Sequence, residues 1–249
     1  SSAGYSAGTC PSSSVCGSHG GKHDSSKKSY DSVYQPYLLG SSLGGGAIII
    51  KSKVMSLNGK IYSRGSYSTT PGAGGSIFLI TDSLSGSTNI NASGGWQTPS
   101  TYANCGGGGR IAIYYNTSTW DDLILSNLSA TGGFANEYCE SGSIILIDMD
   151  DNNAIIKGGF NFWRYYSKDG VTYNLPETRW DNNQTGYNFS NLKIISGVQI
   201  RAYNFSTDSY PIIINNTLNI TSSAILGGLN ISAKNFYLTN GYITLGEVR

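Results

Sequence analysis

Apolar residues along the chain recur in short runs bracketed by glycines. Gly44-Gly-Gly-Ala-Ile-Ile-Ile is followed by Lys60-Ile-Tyr-Ser-Arg-Gly65, and Gly74-Gly-Ser-Ile-Phe-Leu-Ile by Asn89-Ile-Asn-Ala-Ser-Gly-Gly95. Ile48 matches Ile77, Ile61 matches Ile90 and Gly65 matches Gly94, all at one constant offset. A third unit, Gly106-Gly-Gly-Gly-Arg-Ile-Ala-Ile-Tyr-Tyr, pairs with Asn127-Leu-Ser-Ala-Thr-Gly-Gly133 after a short insertion. The fourth pairs Gly142-Ser-Ile-Ile-Leu-Ile with Ala154-Ile-Ile-Lys-Gly-Gly159. Each unit reads as Gly-Gly, strand, turn, strand, Gly-Gly, with a period of roughly thirty residues. β-Branched and aromatic residues fill the runs and no stripe keeps helical spacing, so strands are predicted throughout.

Such a unit cannot bury its apolar face alone and must stack on its neighbours. The predicted fold is all-β, a parallel β-helix or β-solenoid with Gly-rich corners and one long aromatic-rich excursion. Residues 1–40 form a Ser-, Gly- and Tyr-rich lead-in packed on the coil, and 41–159 carry the Gly-rich rungs. The excursion spans 160–191. Rungs resume over 192–249 in shorter form: Leu192-Lys-Ile-Ile, Pro211-Ile-Ile-Ile, Thr217-Leu-Asn-Ile, Gly228-Leu-Asn-Ile, Phe236-Tyr-Leu and Tyr242-Ile-Thr-Leu. Strand alternation sends Leu218, Ile220, Leu229 and Ile231 inward and Asn219 and Asn230 outward. The missing Met at the start, and Arg249 directly after a strand-like run, are expected of a chain trimmed at both ends.

The runs Tyr34-Gln-Pro-Tyr-Leu-Leu-Gly40, Gly44-Gly-Gly-Ala-Ile-Ile-Ile, Gly74-Gly-Ser-Ile-Phe-Leu-Ile and Gly106-Gly-Gly-Gly-Arg-Ile-Ala-Ile-Tyr-Tyr resemble the Gly-rich repeat region of large secreted proteins of protists and bacteria. These are grouped with adhesin-like, pectin-lyase-like right-handed β-helices. The likeness covers residues 15–160, and Gly17-Ser-His-Gly-Gly21 is similar to that family's Gly-His-Gly-Gly lead-in. It implies the coil and its handedness and fixes no activity.

Composition narrows the function. Charged residues make up 12% and the formal net charge is +1, against about 25% charged in an ordinary domain. The only basic cluster, Lys22, Lys27 and Lys28, is too sparse to track a phosphate backbone, so nucleic acid is excluded as a partner. The longest apolar runs are strand-sized, so no transmembrane segment is expected. Ser, Thr, Asn, Gly and Tyr wet the surface instead. N-glycosylation sequons begin at nine asparagines: Asn91, Asn116, Asn127, Asn183, Asn188, Asn204, Asn215, Asn219 and Asn230. Covalent N-linked glycans and an extracellular or cell-surface location follow as expectations.

Four cysteines in such a chain are expected to form disulfides. Cys105 and Cys139 precede the glycine runs of consecutive rungs, and stacked strands lie about 4.8 Å apart, within disulfide reach. A Cys105–Cys139 bridge is therefore predicted, leaving Cys10 and Cys16 to pair locally. A rival Cys₂His₂ zinc set of Cys10, Cys16, His19 and His23 lacks the usual spacing. Asp148, Asp150 and Asn152 open like a calcium loop, but Asn153 and Gly159 stand where Gly and Glu belong, so a solvated turn is expected. No cofactor is expected.

Catalysis on such a coil needs carboxylates grouped on one strand face. Asp82, Asp121 and Asp122 read as turn residues instead, and with only His19 and His23 no Ser, His and Asp constellation is apparent. Arg110, after four glycines, reads as structural. The chain is not expected to be an enzyme. Trp163, Tyr165, Tyr166 and Trp180 in the excursion are candidate carbohydrate or subunit contacts. The leading expectation is a glycosylated extracellular structural protein that self-associates into a filament, sheath or coat. An adhesin-type carbohydrate-binding module and a polysaccharide lyase or hydrolase are the alternatives.

Overall fold

The computed structural model describes residues 19–21, 31, 34–68, 70–96, 105–120, 125–134, 139–158, 166–168, 171–173, 177–180, 187–195, 199–202, 212–221, 225–227 and 231–240. Within the first half, long and short strands alternate: β1 (Ala47–Ser56), β2 (Lys60–Tyr62), β3 (Ser76–Ser85), β4 (Asn89–Asn91), β5 (Arg110–Ser118), β6 (Leu128–Ser129) and β7 (Ser143–Asp148). The long strands stack in parallel as β1-β3-β5-β7, with Ile48 on Ile77 and Ile77 on Ile111. Short strands stack in parallel as β2-β4-β6 in a second sheet, with Ile61 on Ile90 and Ile90 on Leu128. The repeat offset seen in the sequence is thus the pairing register of both sheets.

Between the two sheets lies a core of Ile77, Leu79, Ile90, Ile111, Ile113 and Leu128, all fully buried. Each such side chain contributes about 1.5–3 kcal/mol relative to exposure. Glycines set the distance between the walls. Gly75 N, Gly109 N and Gly142 N donate to the carbonyls of Ser63, Ala92 and Ala130 at 2.8, 2.7 and 2.7 Å. These three pairs are equivalent in successive units. A Cβ on Gly45, Gly74 or Gly108 would fall on those same carbonyl oxygens, so only glycine permits the approach.

The fourth unit departs from the expected pattern. β8 (Asn153–Gly158), which includes the Ala154-Ile-Ile-Lys run, does not extend the short sheet but pairs antiparallel with β7, Ser143 opposite Gly158 and Asp148 opposite Asn153. Local turn chemistry accounts for the reversal. Asp148 Oδ1 accepts from the backbone N–H of Asp150 and Asp151 at 3.1 and 3.3 Å, and Asn152 adopts a positive φ of 55°, a conformation asparagine tolerates. The acidic segment is therefore a hairpin turn, and the chain direction in the long sheet flips there.

Beyond the hairpin come β9 (Tyr166–Lys168), β10 (Val171–Tyr173), β11 (Glu177–Trp180), β12 (Tyr187–Ile195), β13 (Gln199–Ala202), β14 (Ile212–Thr221), β15 (Ile225–Gly227) and β16 (Ile231–Thr239). The long sheet continues as β8-β12-β14-β16, again in parallel, and β11-β13-β15 form a parallel sheet of their own. Residues 160–191 include the β9–β10 antiparallel pair, all of β11 and the start of β12. The later strands are not as short as the sequence suggests, because Ile212-Ile-Ile and Thr217-Leu-Asn-Ile merge into β14, whose pairing shifts register between Ile214 and Thr217.

A second core, including Ile145, Ile147, Ile156, Leu192, Ile194 and Ile220, is distinct from the first. β7 feeds both: Ile144 and Leu146 enter the first core, Ile145 and Ile147 the second. Strand alternation therefore puts the two cores on opposite faces of one eight-stranded sheet. Lys157 of β8 ties this sheet to the β6 region, its buried ammonium donating to the carbonyls of Leu125 and Leu128 at 2.5 and 2.8 Å. Among the described residues no helix is long and apolar enough to cross a membrane.

Two measurements check this account. Gly74→Ala must push the walls apart and is expected to cost about 3 kcal/mol, the upper range for overpacking, whereas Gly46→Ala, with open space around its Cβ position, changes chemical denaturation by about 0.5 kcal/mol at most. Burial pushes the Lys157 pKa from 10.5 down to about 8. Between those values the unfolded chain holds the extra proton, so this group makes stability rise with pH from about 8 to 10.5, and the cost of the buried ammonium is fully present below 8. Lys157→Met should remove that upward component when denaturation of the two proteins is compared across this pH range.

Candidate functional site

Among the described residues of the lead-in, the side chains of His19 and Asp31 are completely buried. His19 lies against β3, its Nδ1 2.8 Å from the Gly74 carbonyl and its Nε2 3.0 Å from Asp31 Oδ2. Asp31 also accepts from the backbone N–H groups of Tyr37 and Leu38, each 3.0 Å from Oδ2. Ser76 Oγ lies 2.9 Å from the same carboxylate oxygen and 2.6 Å from the Leu38 carbonyl. Next in the stack, buried Arg110 donates to Ser143 Oγ at 2.9 Å. Burial pushes the His19 pKa down; the Asp31 hydrogen bond and charge and the Gly74 carbonyl oppose this, and the Arg110 charge adds to it.

A serine, a histidine and an aspartate thus meet, with no motif or spacing in the chain to announce it. Their order does not suit nucleophilic catalysis, where histidine lies between the other two. Here Ser76 and His19 both face Asp31 Oδ2, Ser76 Oγ stands 3.5 Å from Nε2, and all three side chains are shut off from solvent. The cluster fastens the lead-in to the first rungs. Its use of both His19 nitrogens leaves none for the Cys₂His₂ set, whose Cys10, Cys16 and His23 lie outside the described residues. No group of potential metal ligands gathers among the described residues. Asp82, expected in a turn, occupies an exposed position of β3, where Asn116 Nδ2 reaches it at 3.4 Å.

Cys105 and Cys139 form a disulfide with Cα atoms 5.7 Å apart, as their equivalent places in successive rungs predict. Of the nine sequon asparagines, Asn215 is exposed on β14. Asn91, Asn116 and Asn127 are half-buried. Asn219, expected to project outward, is also half-buried, and its Oδ1 is enclosed without a hydrogen-bond partner. Asn188 lies in β12. Asn183, Asn204 and Asn230 fall outside the described residues, as do Trp163 and Tyr165. Tyr166 belongs to β9 and Trp180 to β11.

Two surface features remain. β1 and β16 are the outermost strands of the long sheet, and both expose apolar side chains, Ile49, Ile50 and Val54 on one and Phe236, Tyr237 and Leu238 on the other. The outer face of β2-β4-β6 carries a groove of about 420 Å³, lined by Arg64, Asn91, Ser93, Trp96, Thr131 and Phe134 among others. Its floor is cross-linked by hydroxyls, Ser93 Oγ lying 3.0 Å from Ser129 Oγ and accepting from Thr131 Oγ1 at 2.8 Å.

Replacing both Cys105 and Cys139 by Ser should lower unfolding free energy by about 3–4 kcal/mol, the loop-closure value for a 34-residue separation; guanidinium titration with and without reductant measures it. No family model, curated protein or solved structure matches this chain.

Proposed function

We propose that the chain is a building block of an extracellular assembly, a β-solenoid whose rungs extend from molecule to molecule through their sheet edges. The observation that carries this reading is the pair of outer strands, β1 and β16, each of which no described strand covers on its outer edge. An edge strand offers unpaired N–H and C=O groups to any matching strand, and soluble proteins ordinarily guard it with charge, proline or a bulge. β1 spans ten residues and β16 nine, so they match in length, and Val54 and Tyr237 stand 69% and 57% exposed on them. Lys51, Lys53 and Lys234 provide the only charges on the two strands.

A second copy is the partner of choice because a suitable joint already exists inside the molecule. The strands of the β1-to-β7 group and those of the β8-to-β16 group run in opposite directions. Placing β16 of one copy against β1 of the next therefore repeats the antiparallel geometry of β7 on β8. Head-to-tail addition of this kind is heterologous, and a heterologous contact whose rotation does not close propagates into a filament or sheath. The low charge, the rung-spanning Cys105–Cys139 disulfide and the nine sequons support an oxidising, glycan-bearing surface setting. Among the sequon asparagines whose burial is described, Asn215 is the exposed one. The family resemblance to adhesin-like surface proteins points the same way.

Electron microscopy and sedimentation of the purified protein test this directly. Chains of particles that lengthen with concentration are expected, and a Val54→Lys, Tyr237→Lys double variant should stay monomeric with an unchanged melting temperature. A wild-type protein that remains monodisperse and monomeric at every concentration overturns the reading.

A further inference from the structure

The offsets that align the short sheet also align three exposed aromatic residues. Lys60 pairs with Asn89 and Ile90 with Leu128, offsets of 29 and 38 residues. Applied to Tyr67, the first offset leads to Trp96, and the second leads from Trp96 to Phe134. The backbone supports this equivalence: Gly95, just before Trp96, and Gly133, just before Phe134, approach so closely that a Cβ on Gly133 would fall on the Gly95 carbonyl. Tyr67, Trp96 and Phe134 thus form a ladder up three successive rungs, 57, 48 and 41% exposed. Tyr67 and Trp96 meet edge to face, centroids 6.1 Å apart and planes at 81°.

The same offsets build polar columns beside the ladder. Arg64, Ser93 and Thr131 form one, and Tyr62, Asn91 and Ser129 the next. Trp96 and Phe134 therefore stand at one side of the groove and a grid of hydroxyl and amide groups at the other. Isolated exposed aromatics need no explanation, but three in register beside a polar grid form a patterned surface. Aromatic faces bind the apolar faces of sugar rings, while hydroxyls and amides match sugar hydroxyls. The rung spacing of about 4.8 Å is commensurate with one sugar ring, so successive residues of an extended glycan would meet successive rungs. Among the described residues of the lining, Arg64 carries the only charged side chain, which favours a chain bearing carboxylates.

We infer that this groove binds an extended acidic oligosaccharide, with Trp96 and Phe134 as stacking platforms, the Asn91, Ser93 and Thr131 grid as the hydrogen-bonding wall, and Arg64 as the carboxylate anchor. The inference is independent of edge-to-edge assembly. It has one covalent consequence, because Asn91 and Asn127 are sequon asparagines inside the groove. A glycan on either would fill it, so both must be bare.

Isothermal calorimetry of the glycosylated, purified protein with a mannuronate hexasaccharide, and with neutral cellohexaose, provides the test, together with glycopeptide mass spectrometry. The acidic hexasaccharide is expected to bind more tightly than the neutral one. Trp96→Ala should weaken binding about tenfold or more with an unchanged melting temperature, Trp96→Phe should retain it, and Arg64→Gln should abolish the preference for acid. Should Trp96→Ala fail to fold, Phe134→Ala serves in its place. Absence of binding by either hexasaccharide, wild-type affinity in the folded alanine variant, equal affinity for the two sugars, or a glycan on Asn91 or Asn127 would each overturn the inference.

Discussion

Everything in the first half of the molecule depends on one backbone contact, the hydrogen bond from a glycine N–H of the long sheet to a carbonyl of the short sheet. It occurs as Gly75 to Ser63, Gly109 to Ala92 and Gly142 to Ala130. Two sheets packed face to face through side chains ordinarily stand about 10 Å apart. Here the walls converge until main chain meets main chain, and the residue beside each bond, Gly45, Gly74 or Gly108, has no room for a Cβ. Isoleucine and leucine fill the wedge where the walls diverge, and small Ser63, Ala92 and Ala130 line it where they converge. The glycine pairs are thus the vertices where the two sheets meet. They fix the cross-section, and the stacking of that cross-section fixes where Cys105 meets Cys139 and where the aromatic ladder falls.

That constraint also explains which features could be read from the sequence. Glycine pairs and apolar runs recur together, so the offset that relates Ile48 to Ile77 and Ile61 to Ile90 is visible in the chain and becomes the pairing register unchanged. The cysteine bridge follows from the same register. Strand direction does not. Alternation with a period of two reads the same whichever way the strand runs, so Ala154-Ile-Ile-Lys-Gly passes equally well for the short arm of a rung and for the return strand of a hairpin. The deciding signals were a continuous apolar run, Ile144 to Ile147, which marks a strand buried on both faces, and an Asp-led turn ending in Asn152.

Other features lay beyond any periodic signal. Asp31 sits in a stretch with no repeat, and nothing in its neighbours indicates that it will meet His19 and Ser76. Lys157 reads as an ordinary surface lysine following an apolar run, yet its ammonium is buried against the Leu125 and Leu128 carbonyls. Such residues answer to tertiary placement alone. The aromatic ladder is a different case, because the offset that aligns the isoleucines would have aligned Tyr67, Trp96 and Phe134 as well. The aromatic cluster around Trp163 and Trp180 is richer in rings but follows the last Gly-rich repeat, where that offset no longer applies.

The division of the molecule at the β7–β8 joint would give its surfaces distinct roles in the proposed assembly. Because the two halves run in opposite directions and bury their cores on opposite faces of the long sheet, the sheet's outer strands are those farthest from the joint. Growth through β1 and β16 would extend the sheet along its own stacking direction, leaving the outer face of β2-β4-β6 uncovered. A filament built this way would display its grooves at regular intervals on one side. Assembly and glycan capture would then make no competing demands on the same residues, and the stacking that builds the core would also set the spacing at which the proposed ligand sites repeat.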